Sequence, residues 1–183
     1  MMKNILVING HEYYDVAKGQ LNQTLFNHII ATLQPHYNIR TTIIQSGYDI
    51  KEEQEKYKWS DIVIIQFPIY WMDVPGALKT YFDKVYEHDV FFKGSDIYGH
   101  GGLMTGKQFM FSTTWNAPKN SFKDGQFFNN RTPEDILTGL YFTHQFIGMK
   151  PLPGFSVHDV IKNPKIDEFL HALDTHLART FIR

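Results

Sequence analysis

The sequence contains no cysteine. That excludes a disulfide scaffold, a thiolate metal centre and a cysteine nucleophile. It also lacks a dominant charge: 18 Lys and Arg face 19 Asp and Glu. Such a balance gives no basic surface for nucleic acid or an anionic membrane. No stretch approaches the roughly 18 apolar residues of a membrane-spanning helix. The opening MMKNILVING holds too short an apolar run for a signal peptide and no small-residue cleavage site. The expected location is therefore the cytoplasm. No Gly-x-Ser-x-Gly elbow supports acyl hydrolysis. No Gly-x-Gly-x-x-Gly follows the first predicted strand, which argues against a Rossmann dehydrogenase.

What the chain has in surplus is aromatic side chains, at 15% of residues: 15 Phe, 10 Tyr and 3 Trp. Most belong in a core, and the rest suit a pocket for a flat ligand. The length, 183 residues, fits a single domain with a substantial core. Continuous apolar or β-branched runs at residues 4–8, 38–44, 61–67, 107–114 and 155–160 predict five strands, several buried on both faces. Between them lie helical spacings. Leu21, Leu25, Phe26, Ile29 and Leu33 share one face, Pro75 opens a helix carrying Leu78, Tyr81, Phe82 and Val85, and a polar helix spans 51–58. Thr132-Pro133-Glu134-Asp135 caps a helix running to about Ile147, and Pro164 begins the last. Alternating strand and helix predicts a three-layer α/β/α sandwich on a five-stranded parallel sheet, order 2-1-3-4-5, as one domain over residues 1–183. Ligands of such sheets bind beyond the carboxyl ends of the strands.

Three loops fall there. The first leads into the first helix, where backbone amides with Lys18, Gln20, Asn22 and Thr24 suit a phosphate; a capped helix with solvated side chains suits the same residues. The second, at 68–76, sets Tyr70 and Trp71 between two prolines, as a platform for a flat ring or as a cover over the core. The third, Thr114-Trp115-Asn116-Ala117 with the later Phe127-Phe128, has the same character. Clustering after the third and fourth strands assigns ring stacking to Trp71 and Trp115, and the shaping of an acceptor pocket to Tyr70, Phe127 and Phe128. Other patterns weigh less. GGLMTGK at 101–107 has most of a P-loop, but Gln108 stands where Ser or Thr is needed and the motif precedes a strand. His171 and His176 are five apart on a helix and do not converge on a metal, and His144 reads as a packed core histidine.

The chain resembles the modulator-of-drug-activity B family of flavodoxin-like NAD(P)H:quinone oxidoreductases. The resemblance rests on ILVING (5–10), GQLNQTL (19–25), PIYWMDVP (68–75), YGHGGLMTGK (98–107), TTWNAP (113–118), QFIGMKPLPGF (145–155) and DVIK (159–162). It implies a homodimer with tightly bound FAD, reduced by NADPH or NADH, that passes two electrons to a quinone or similar flat acceptor in ping-pong fashion. The phosphate and ribose side of FAD then falls on Ala17, Lys18, Gly19, Gln20, Leu21, Asn22, Gln23 and Thr24. The isoalloxazine falls on Pro68, Ile69, Tyr70 and Trp71 and on Thr114, Trp115, Asn116 and Ala117, and Tyr98 is a further contact. The flavin carries the chemistry. Tyr70 and Trp115 are the candidate side chains beside the reacting ring. A flavodoxin-like electron carrier and an FMN-dependent nitro- or azoreductase are the alternatives.

Overall fold

The computed structural model of the chain describes residues 2–182; Met1 and Arg183, the ends of the expected domain, lie outside the described residues. Five buried apolar runs become strands of one sheet. They are β1 (Asn4–Asn9), β2 (Asn38–Ile43), β3 (Ile62–Pro68), β4 (Gln108–Trp115), and a pair of short pieces, β5 (Lys150–Pro151) and β6 (Phe155–His158). The order is β2-β1-β3-β4-β5, with β6 also on β4, and every pairing is parallel. The expected order holds. The fifth strand differs: its position is filled twice along the β4 edge, first by Lys150 opposite Gln108 and then by Phe155 opposite Ser112. Pro151 and Pro153 have no N–H to give, so the ladder cannot run unbroken through 150–158.

Helices cover both faces. Helix α1 (Gln20–Leu33) and helix α6 (Ile166–Phe181) bury Leu25, Ile29, Leu173 and Leu177 against Ile5, Val7, Ile62, Ile64 and Met110. On the other face α2 (Ile50–Trp59), α3 (Gly76–Val85) and α5 (Thr138–Phe146) lie over Leu6, Ile8, Val63, Ile65, Phe109 and Phe111. The single helix expected from Thr132 to Ile147 is two, because a short α4 (Pro133–Ile136) ends at Leu137, whose ψ of 17° leaves the helical range. There Thr138 turns its hydroxyl back to the carbonyl of Asp135 at 2.7 Å, a competing bond that favours a bend.

Three polar residues interrupt the apolar pattern at one place. Asn9, Gln66 and Ser112 lie in register across β1, β3 and β4, so they share one sheet face, and all are buried. They end the apolar rows beneath α1 at the carboxyl edge of the sheet.

Candidate functional site

The loop after β1 is held from below. Asn9 Oδ1 accepts from the His11 amide at 3.1 Å, and the His11 ring bonds the Ala17 carbonyl through Nε2 at 3.0 Å. Tyr14 and Ala17 exchange backbone bonds of 3.3 and 2.9 Å, which closes the turn. The chain then reaches Gly19 at φ 74°, in the left-handed region, and enters α1. No side chain caps that helix and no acid lies in its first turn. Its amides therefore face a groove of about 680 Å³ lined by Lys18, Gln20, Gln23 and Thr24, with Gln45 and Ser46 beyond the end of β2. Open amides, the helix dipole and a lysine together favour an anion.

The loop after β3 carries a strained turn. Tyr70 and Asp73 exchange backbone bonds of 2.9 and 3.0 Å around Trp71 at φ 51° and Met72 at φ 64°. Two consecutive positive φ values make this a type I′ turn, normally built from Asn and Gly. Holding two bulky residues there costs on the order of 1–3 kcal/mol each. The turn lifts the Trp71 ring clear of the protein, 95% exposed. The Tyr70 hydroxyl donates to the Glu12 carbonyl at 3.2 Å, and burial raises its pKa. Glu12 in turn accepts from the Ala77 amide at 2.8 Å, capping α3 and tying the first loop to the second.

The loop after β4 behaves otherwise than expected at Trp115. Its ring is 2% exposed, donates through Nε1 to Thr113 Oγ1 at 2.8 Å, stacks on His158 and meets Phe122 and Phe128 edge-on. Trp115 is a wall of the core and offers no exposed face for stacking. Asn116, one residue on, is exposed. The His158 ring lies against the Ala117 carbonyl at 3.2 Å, and its pKa is lowered by burial.

These loops enclose two adjoining hollows. One, of about 220 Å³, lies between His11, Ala17, Gly19, Gln20, Leu21, Asn22, Pro68, Ile69, Tyr70, Thr114 and Asn116, with Val160 and Ile161 opposite. The other, of about 410 Å³, is bounded by Trp71, Met72, Trp115, Ala117, Phe128, Asp159 and Lys162 and shares Ile69 and Asn116. The predicted residues thus converge, with three qualifications. Asn22 spends its amide inside the protein, between Asn9 and Gln66. The Thr24 hydroxyl donates to the Gln20 carbonyl at 2.9 Å. Tyr98 does not join them: it is 92% exposed, rests on Phe146 and lines a separate hollow of about 780 Å³ beside α3 and α5. The irregular segment before Tyr98 runs to that side, so within one chain it is no part of this site. Phe127 lines neither hollow, whereas Phe128 does.

His11, Met72, Val160 and Ile161 are lining residues that the sequence reasoning missed. His11 stands two residues beyond the end of β1, at the carboxyl edge of the sheet, which was the available signal. Gly101 and Gly102 of GGLMTGK serve packing instead: a side chain on Gly101 would strike the Lys93 carbonyl, and one on Gly102 the backbone of Ile147 and Gly148. Lys107 donates to the carbonyls of Lys58 and Ser60 at the end of α2.

A family model described as flavodoxin-like fold matches residues 3–177. An uncharacterised protein of Schizosaccharomyces pombe is 39% identical over 97% of this chain and 96% of its own length. The NADPH:quinone oxidoreductase MdaB of Haemophilus influenzae is 34% identical over 97% of this chain and 99% of its own. Among solved structures, general stress protein 14 of Treponema denticola, in complex with FMN, superposes with a TM-score of 0.74 at 16% identity, covering 97% of each chain. At that identity the likeness is one of fold.

Proposed function

Because the chain belongs to the flavodoxin-like family, and within it to the MdaB group of NADPH:quinone oxidoreductases, we propose that it is a flavin-dependent NAD(P)H dehydrogenase (quinone). In this reading residues 1–183 form one flavin-binding domain working in the cytoplasm as a homodimer. Among the described residues no helix is long and apolar enough to cross a membrane.

The observation that carries the choice of FAD is how the spaces join. The 220 Å³ hollow and the 680 Å³ groove share His11, Gly19 and Gln20 in their walls. In this reading a ring between Ile69, Tyr70 and Asn116 is followed by a path past the α1 amides toward Gln45 and Ser46. That path leaves room beyond one phosphate for a second and an adenosine, where FMN would stop at the first. Ala17, Lys18, Gly19, Gln20, Leu21, Asn22, Gln23 and Thr24 hold the phosphate side in this reading. Pro68, Ile69, Tyr70, Trp71, Thr114, Trp115, Asn116 and Ala117 frame the ring, the Trp115 side chain acting as a wall. Tyr98, remote within one chain, is assigned a contact only across the proposed dimer, to which the exposed rings of Tyr98 and Phe142 would contribute.

Bound flavin supplies two-electron hydride chemistry. The chain's own part is to orient and to tune. The amides of Ile69 and Tyr70 are spent on the Thr114 and Asp73 carbonyls, so the amides of Trp71, Asn116 and Ala117 are the ones that would stabilise negative charge on the ring, and Trp71 and Met72 would give a flat acceptor a surface to lie on. In this reading reductant and quinone alternate at the 410 Å³ hollow.

The test is NADPH oxidation by the purified protein with menadione as acceptor. Many turnovers per protein are expected. No turnover from flavin-loaded protein would favour an electron carrier.

A further inference from the structure

We infer that a one-directional file of side chains, Ser112–Gln66–Asn22–Asn9–Gln23, buried as far as Asn9, sets the anion-binding end of the flavin site, with Gln66 as its positioning residue. This rests on the flavin reading above and names a residue that touches no ligand. Ser112 Oγ donates to Gln66 Oε1 at 2.6 Å, Gln66 Nε2 to Asn22 Oδ1 at 2.9 Å, and Asn22 Nδ2 to Asn9 Oδ1 at 2.7 Å. Asn9 Nδ2 then donates to Gln23 Oε1 at 2.8 Å, and Gln23 Nε2 to Asn27 Oδ1 at 2.8 Å. Each member donates to the next, from β4 through β3 to α1, back to β1 and out again to α1.

That direction has a consequence at the groove. Asn9 and Gln23 both line it. Their oxygens are engaged by the file, Asn9 Oδ1 twice because it also accepts from the His11 amide. The side of each amide left for a ligand is its N–H, which suits a phosphate oxygen and repels a donor. Hydrogen bonds running one way in a dry interior polarise one another, so the orientation is collective. Gln66 is the central link. It is completely buried, pairs in register with Asn9 and Ser112, and bonds Asn22 across to α1. Leaving any member without its partner would strand a buried polar group. Among the described residues no buried polar side-chain atom lacks a partner.

Gln66→Glu tests the direction with little change of shape. A carboxylate facing Asn22 Oδ1 sets acceptor against acceptor, and relief requires Asn22 to turn over. Asn9 and Gln23 then follow and present oxygens to the groove. The probes are riboflavin, FMN and FAD, which share a ring and differ in phosphate. Their dissociation constants are read by flavin fluorescence on apoprotein. We expect FMN and FAD to weaken about tenfold or more, the scale of a lost hydrogen bond to a charged group, while riboflavin changes little. Ser112→Ala removes the first donor only and should shift the ratio the same way by less; it carries the comparison if Gln66→Glu fails to fold. Equal weakening of all three flavins would mean a merely structural role and overturn the inference, as would an unchanged phosphate preference. Wild-type protein that binds none of the three would instead overturn the flavin reading itself.

Discussion

The imidazole of His11 occupies the space that a side chain on Gly19 would need. A Cβ placed on Gly19 falls onto the ring of His11, whose Nε2 is bonded to the Ala17 carbonyl. Gly19 also stands at φ 74°. The loop and the start of α1 are therefore fitted to each other through one ring and one missing side chain.

Gly19→Ala should accordingly expel the His11 ring and strain the backbone. The left-handed conformation alone costs about 1–2 kcal/mol for an L residue. The expected outcome is a lower Tm together with loss of flavin during purification. A variant retaining full flavin and wild-type Tm would show that the loop tolerates another arrangement.

Trp71 and Trp115 should separate cleanly. Trp71 is exposed on a strained turn, so Trp71→Ala should leave Tm nearly unchanged and lower kcat/KM for menadione several-fold, matching about 0.5–1.5 kcal/mol for one aromatic contact. Trp115 is buried, and Trp115→Ala should cost about 3–5 kcal/mol of folding stability. Chemical denaturation beside steady-state kinetics reads both. Equal effects of the two substitutions on Tm would contradict the placement of Trp71.

Glu12 links the first loop to α3. Glu12→Ala removes the carboxylate that caps the Ala77 amide and should cost about 1 kcal/mol. Releasing that carboxylate loosens the loop whose Glu12 main-chain carbonyl accepts from the Tyr70 hydroxyl, so kcat/KM should fall as well, and Glu12→Gln should restore part of both. A stability loss with unchanged kcat/KM would confine Glu12 to capping.

Acid should weaken the fold through buried histidines. His144 packs against Phe82, Phe109 and Phe111; Nδ1 donates to the Leu140 carbonyl at 2.9 Å, and the Tyr86 hydroxyl donates to Nε2 at 3.0 Å. Burial pushes its pKa down to about 4. The unfolded chain therefore takes up that proton first, near the ordinary value of about 6.5. This contribution is complete above that pH and is lost progressively as pH falls toward about 4. His158 and His176, also shifted down by burial, act in the same direction. From about pH 7 to about pH 5, His144 alone should remove about 2 kcal/mol. Urea unfolding at both pH values measures it, and His144→Gln should flatten the slope.

The apolar faces of the sheet were legible because continuous apolar strand runs and 3.6-period helices alternate along the chain. Counting by twos from Phe109 and Phe111 also puts Trp115 on the buried face. Ending the predicted strand at Thr114 made Trp115 read as a loop residue. The place of Tyr98 had no such signal, because the segment from 88 to 106 has no period. The split of the fifth strand follows from Pro151 and Pro153, which interrupt the donors of that edge. The polar row of Asn9, Gln66 and Ser112 needed the register between strands, which no single strand carries.

The most direct measurement is an absorption spectrum of the purified protein, followed by chromatography of the flavin released with acid. The account predicts an oxidised-flavin spectrum and release of FAD. Release of FMN would contradict the dinucleotide path through the groove at Gly19, and a colourless protein that takes up no added flavin would contradict the account as a whole.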